Sequence, residues 1–234
     1  MQRWRRHLHQ HPELDLACHA TADFITEKLV SFGITKIYRG FAESGIVAII
    51  DGCSDGPTIG LRADMDALPI LEETGLPWQS KIKGVMHACG HDGHTTMLLG
   101  AARYLSRHRD FNGHVALIFQ PGEELSGGGR IMAEQGIFDQ FDIASVFALH
   151  TYPGAVAGTF HTRPGPLLAS VDDFSLQITG RSGHVGYPDE CLNPIDQLGT
   201  VISGVKQIDQ TLKSRFGEGV VAITVVQAGH ATNV

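Results

Sequence analysis

The chain has 234 residues, 42% hydrophobic and 18% charged, the composition of an ordinary globular protein. Its formal charge of −7 argues against nucleic acid or an anionic membrane surface as partner, and no run approaches 18 consecutive apolar residues, so nothing is expected to span a bilayer. Four cysteines, Cys18, Cys53, Cys89 and Cys191, have no paired spacing and no apolar leader opens the chain, so a reducing, cytoplasmic location is expected.

From Trp4 to Phe32 the apolar residues Leu8, Leu14, Ala22, Phe24, Ile25 and Leu29 have partial helical spacing, interrupted at Pro12 and stopped at Gly33. Short apolar runs at Gly45 to Asp51, Thr58 to Ala63, His114 to Phe119 and Ala144 to Leu149 predict strands covered on both faces. Helical patterns at His94 to His108 and around Gly129 to Glu134 alternate with them. The alternation predicts an α/β fold, a mainly parallel sheet in three αβα layers.

Arg163-Pro-Gly-Pro166 is a stiff stretch that predicts a domain boundary. Beyond it, Asp173 to Thr179 alternates as a half-exposed strand, Asn193 to Leu212 is an amphipathic helix, and Val220 to Val226 is a further strand. Residues 1–166 are therefore expected to form one domain and 167–234 a smaller α+β one. The closing Ala231-Thr-Asn-Val234 lacks a capping element, which reads as an incomplete second domain.

Met86-His-Ala-Cys-Gly-His-Asp-Gly-His94 packs one thiol, three imidazoles and a carboxylate into nine residues. Thiolate and imidazole are ligands that borderline-soft divalent metals prefer, and the intervening glycines let the chain turn tightly. Further polar groups fall at the carboxyl ends of predicted strands: Asp64 and Asp66, Glu123 and Glu124, and His150. In open α/β sheets ligands bind in the crevice beyond those ends. Singly, each has a plain alternative: a turn or helix cap for either Asp, a solvated pair for the two Glu, a loop histidine for His150. Jointly they converge on one sheet edge, where carboxylates repel unless cations lie between them.

These residues carry a resemblance. Leu61-Arg-Ala-Asp-Met-Asp-Ala-Leu-Pro69, the Met86–His94 run, Phe119-Gln-Pro-Gly-Glu-Glu124, Leu149-His150 and Ser182-Gly-His184 occur in order, after an opening Arg5-Arg-His-Leu-His-Gln-His-Pro-Glu13. The chain resembles metal-dependent amidohydrolases of the di-zinc aminoacylase/carboxypeptidase family, in the branch of hippurate hydrolase, N-acyl-amino-acid amidohydrolases and auxin-conjugate hydrolases. The resemblance implies a catalytic domain followed by a lid that also dimerises, and two divalent ions per subunit, Zn2+ or Mn2+, with Co2+ or Ni2+ as alternatives. Cys89 then corresponds to a bridging metal ligand where relatives use Asp, and His91, Glu124 and His150 to further ligands. Glu123 corresponds to the general acid/base and Asp66 to a residue orienting a ligand. Asp64 stands where other branches carry a metal-binding His and is not assigned as a ligand. His184 corresponds to a lid histidine reaching the substrate carbonyl, and Asn233 to a substrate-holding residue.

The implied reaction is hydrolysis of N-acyl amino acids by a metal-bridging water, with Glu123 as base and a homodimer formed through the lid. Gly122 replaces a usual Ala, and the family's last His ligand is not in the sequence. A dipeptidase or carboxypeptidase on the same centre, or a metal-binding protein without catalysis, are the alternatives.

Overall fold

The computed structural model describes residues 1–184 and 186–229. It divides into two compact units, Met1–Thr159 and Phe160–Val234. In the first, a five-stranded sheet carries helices on both faces, so the fold class is α/β. The strands are β1 (Lys36–Phe41), β2 (Gly45–Asp51), β3 (Ser54–Asp64), β4 (Asn112–Gln120) and β5 (Ile143–Ala148), in the spatial order β1-β2-β4-β3-β5. β4, β3 and β5 pair in parallel, and the connection from β3 to β4 passes through a helix, as parallel pairing demands. β1 and β2 form a hairpin that extends the sheet antiparallel from β4. β1 alternates few apolar residues (Lys-Ile-Tyr-Arg-Gly-Phe), which is why periodicity did not reveal it.

The predicted first helix is two: α1 (Gln2–Gln10) and α2 (His19–Ser31), separated by the Pro12 segment. α3 (His91–Leu105) begins inside the His-rich motif, and α4 (Gly128–Glu134) and α5 (Ile137–Gln140) precede β5. Side chains alternate across β2 and β4. Ile46, Ala48, Ile50, Leu117 and Phe119 join Ile25 and Leu29 of α2 and Leu98, Leu99 and Ala102 of α3 in one core layer. Val47, Ala116 and Ile118 face the other way, onto Met132 and Ile137. The runs are continuous and apolar because both faces are covered.

In the second unit, α6 spans Pro194–Phe216, capped by the Asn193 side chain accepting from the Ile195 N–H at 3.0 Å. The strands expected at 173–179 and 220–226 are not formed: among the described residues neither carries a ladder, and the unit's one bridge joins Arg181 to Leu192. Phe174 and Leu176 are 64% and 62% exposed. Alternation marks a face able to be buried, but a strand exists only with a partner edge, and here none pairs with either segment. Among the described residues no helix is long and apolar enough to cross a membrane.

Candidate metal centre

Three strand ends and one helix start build the site. β3 ends on Asp64, with Asp66 two residues on. β4 ends on Gln120, and the turn Pro121-Gly122 delivers Glu123 and Glu124. β5 ends on Ala148, and His150 follows. His91 is the first residue of α3, with Cys89 just before it. Gly90 between them has φ of +91°, a left-handed conformation glycine adopts freely. A side chain there would also collide with Thr151, whose Oγ1 lies 2.7 Å from where its Cβ would stand.

His91 is 1% exposed and sits at the centre. Its Nδ1 lies 3.2 Å from Asp66 Oδ1, and the other oxygen of Asp66 accepts from the Glu124 N–H at 3.1 Å. A carboxylate at Nδ1 holds the proton there and leaves the Nε2 lone pair free. Around that Nε2 lie Asp64 Oδ2 and Glu124 Oε1, each at 3.7 Å, and Glu123 Oε2 at 3.9 Å. His91 Nε2 and Glu124 Oε1 are both buried without a hydrogen-bond partner. Opposite, Cys89 Sγ and His150 Nε2 are 3.4 Å apart, and His150 Nδ1 donates to the Thr151 carbonyl at 2.7 Å, again freeing Nε2.

These donors fit a divalent cation. Two ligand atoms on one tetrahedral zinc stand about 3.4–3.7 Å apart, given bonds of about 2.0–2.3 Å. The Cys89–His150 and His91–Glu124 separations match that spacing. The donor atoms of Cys89, His91 and His150 lie within 4.8 Å of one another, as do those of His91, Glu123 and Glu124, and those of Asp64, His91 and His94. Buried polar atoms left unpaired cost about 1–3 kcal/mol each, a cost that a cation between them removes.

Without a cation the electrostatics are frustrated. Burial raises the Cys89 thiol, and the Glu124 and Glu123 carboxylates push it further, to about 12. Burial also raises the Glu123 carboxyl, reinforced by Glu124 beside it. At Asp64, burial works upward, but the His94 hydrogen bond and the Arg62 and His91 charges outweigh it and hold the carboxyl at about 2. Burial depresses His91, yet Asp66, Asp64 and Glu124 together raise it above the ordinary histidine value. A bound cation inverts this pattern, favouring thiolate and neutral imidazole.

Cys89, His91, Glu123, Glu124, Asp66 and His150 thus come together. His184 belongs to the second unit, where it is exposed and its Nδ1 accepts the Gly186 N–H at 2.9 Å. Asn233 lies outside the described residues. Sequence reasoning counted His94 among the imidazoles of the motif but gave it no role; it is 2% exposed and bonded to both Asp64 and Thr151. Its signal was available: a histidine three residues after His91 lies on the same helix face.

Residues 60–231 match the family described as peptidase family M20/M25/M40. The chain is 42% identical over 231 residues to an N-acetylcysteine deacetylase of Bacillus subtilis (strain 168), covering 98% of this chain and 60% of the relative. It is 40% identical over 230 residues to a hippurate hydrolase of Campylobacter jejuni, with the same coverage of 98% and 60%. Among solved structures it resembles the Bacillus subtilis YXEP protein, a dinuclear metal-binding peptidase, with a TM-score of 0.73 and 36% identity over 100% of this chain and 59% of that one. The chain spans about three-fifths of the length of the curated relatives it matches.

Proposed function

The chain belongs to peptidase family M20/M25/M40, and on that premise we propose that it serves metal-dependent hydrolysis of the amide bond of N-acyl amino acids, of the N-acetyl or hippurate-like kind. The observation that carries the reading is the pair of buried, unpartnered atoms, His91 Nε2 and Glu124 Oε1, set among Cys89, His150 and three carboxylates. Similarity to an N-acetylcysteine deacetylase and a hippurate hydrolase supports the substrate class.

Cys89, His91, Glu124 and His150 are assigned as ligands of two divalent ions. Bound there, such ions supply Lewis-acid polarisation of the amide carbonyl and a water acidic enough to attack at neutral pH. Asp66 keeps the His91 lone pair aimed inward by accepting at Nδ1. Glu123, more exposed than its neighbour Glu124, takes the proton of the attacking water as the C–O bond forms. Its raised carboxyl brings it nearer the working pH of a group that must both accept and return a proton. When the C–N bond breaks, Glu123 delivers that proton to the leaving amine, and a carboxylate and an amine result. His184 is assigned to the carbonyl oxygen and Asn233 to substrate binding, on their match to the family's motifs. A homodimer through the second unit and a cytoplasmic location complete the reading.

The test is Glu123→Gln in the full-length protein, assayed on N-acetyl amino acids, hippurate and dipeptides. Turnover should fall by about 10²–10⁴-fold with metal content unchanged. Retained turnover overturns the assigned base, and preference for dipeptides overturns the substrate class.

A further inference from the structure

One of the three donor clusters, Asp64 with His91 and His94, is not what its composition suggests. The Thr151 backbone N–H points at His94 Nε2 at 2.9 Å, and a backbone amide can only donate. His94 Nε2 must therefore be the acceptor, its lone pair already taken, with Thr151 Oγ1 also 3.1 Å away. The ring proton then sits on Nδ1, which donates to Asp64 Oδ1 at 2.6 Å. Both nitrogens of His94 are used, so it cannot ligate a cation without breaking one of these bonds.

The chain of bonds runs on in both directions. Asp64 is anchored by Arg62, whose Nη1 donates to its other oxygen at 2.8 Å, and its backbone carbonyl accepts from Thr95 Oγ1 at 2.9 Å. Thr151 in turn presents its carbonyl to His150 Nδ1 at 2.7 Å. The His94 and His150 rings lie 4.5 Å apart between centroids. Each link from Arg62 through Asp64 and His94 to Thr151 thus has a fixed direction, and the chain of bonds ends on the residue whose carbonyl meets His150.

We propose that His94 is a positioning residue rather than a ligand: the Asp64–His94–Thr151 relay pins the segment after β5, so that His150 Nε2 is held facing Cys89. The relay ends at Thr151 on the Cys89–His150 side of the centre, while Asp66 orients His91 on the other, where Asp64 also stands 3.7 Å from His91 Nε2. Asp64 thereby gains a role although it is no ligand. This inference rests on the metal centre proposed above.

The two bonds of His94 can be separated by substitution. In His94→Asn an amide nitrogen stands near the place of Nδ1 and keeps the bond to Asp64, but nothing reaches Thr151. In His94→Gln the longer side chain brings an amide oxygen to the place of Nε2, keeping an acceptor for the Thr151 N–H. The full-length protein, stripped and titrated with Co2+, is read by its thiolate-to-cobalt charge-transfer absorption, assigned to Cys89 by loss of the band in Cys89→Ser. His94→Asn should weaken Co2+ binding at the thiolate-bearing site about 10–100-fold and diminish the band, while His94→Gln, which keeps the Thr151 bond but loses the one to Asp64, should fall between that variant and the wild type. Equal behaviour of the two variants, whether both normal or both impaired, overturns the relay. A wild-type protein that shows no thiolate band overturns the metal centre itself, and the relay with it.

Discussion

At the scale of single residues, three of the four cysteines hold one functional group in three environments. Cys18 is fully buried, with Sγ donating to the Asp15 carbonyl at 3.2 Å, and burial pushes its thiol far up. Cys89 is half-buried and its thiol is raised to about 12 by burial and by Glu124 and Glu123. Cys53 is exposed. Since the thiolate is the nucleophile, the metal-stripped protein should carboxamidomethylate Cys53 at least about tenfold faster than Cys89, with Cys18 inert. Peptide mapping by mass spectrometry after timed iodoacetamide exposure measures this order. Rapid labelling of Cys89 in the stripped protein would contradict the crowding of carboxylates around it. His94 illustrates the limit of reading residues singly. The sequence displays it in a metal-rich motif, yet its task depends on Thr151, 57 positions away, which no local pattern announces.

At the scale of elements, sheet and helices were legible where a single chain segment carries its own instruction. The runs at 45–51 and 114–119 are continuous and apolar because α2 and α3 cover one face and α4 and α5 the other. Since strand ends fix where the next residues fall, Asp64, Glu124 and His150 could be placed at one edge from the sequence. Segments 173–179 and 220–226 show the converse, patterned for a strand but without a partner edge among the described residues. β1 was missed because its register is dictated by β2 and not by its own composition.

Two predictions belong at this scale. Leu99 on α3 is 0% exposed in the layer that seats the helix bearing His91. Leu99→Ala should cost about 2–5 kcal/mol in urea unfolding. A loss below about 1 kcal/mol would mean that the layer is not close-packed. Across β1, β2 and β4, Asp51 receives Lys36 Nζ at 2.7 Å and His114 Nδ1 at 2.9 Å. The Lys36 hydrogen bond is the main reason its carboxyl titrates below the usual aspartate value, with burial opposing and His114 assisting. A depressed folded value stabilises the fold above the unfolded value near 4 and loses that contribution as pH falls through the folded one. Solvent screening keeps the contribution at about 0.5 kcal/mol. Thermal melts of wild type and Asp51→Asn should therefore differ at pH 6 and converge below about pH 4; a gap that widens on acidification would reverse the assignment.

At the scale of the whole molecule, an interior that gathers Asp64, Asp66, Glu123 and Glu124 around one histidine is a poor place to leave without positive charge. Removing the proposed cations should lower the melting temperature of the first unit. An ion at a thousand times its dissociation constant contributes about 4 kcal/mol to the folded state. Calorimetry with and without a chelator, followed by Zn2+ or Mn2+ restoration, measures the change. An unaltered transition would mean that the carboxylates are stabilised by the protein alone. Catalysis and assembly belong to a longer scale still, because the curated relatives extend well beyond the length matched here.

His91 belongs to all three donor clusters, yet with Nδ1 bonded to Asp66 its ring has only one lone pair to give. Whichever ion captures it must leave the second to be assembled from the remaining sulfur, nitrogen and oxygen atoms. A pair of sites built this way is unequal from the outset. Filling should proceed in order, the tighter berth first, and depletion in reverse, so that a half-loaded protein is a distinct species with its own properties and not an average of empty and full.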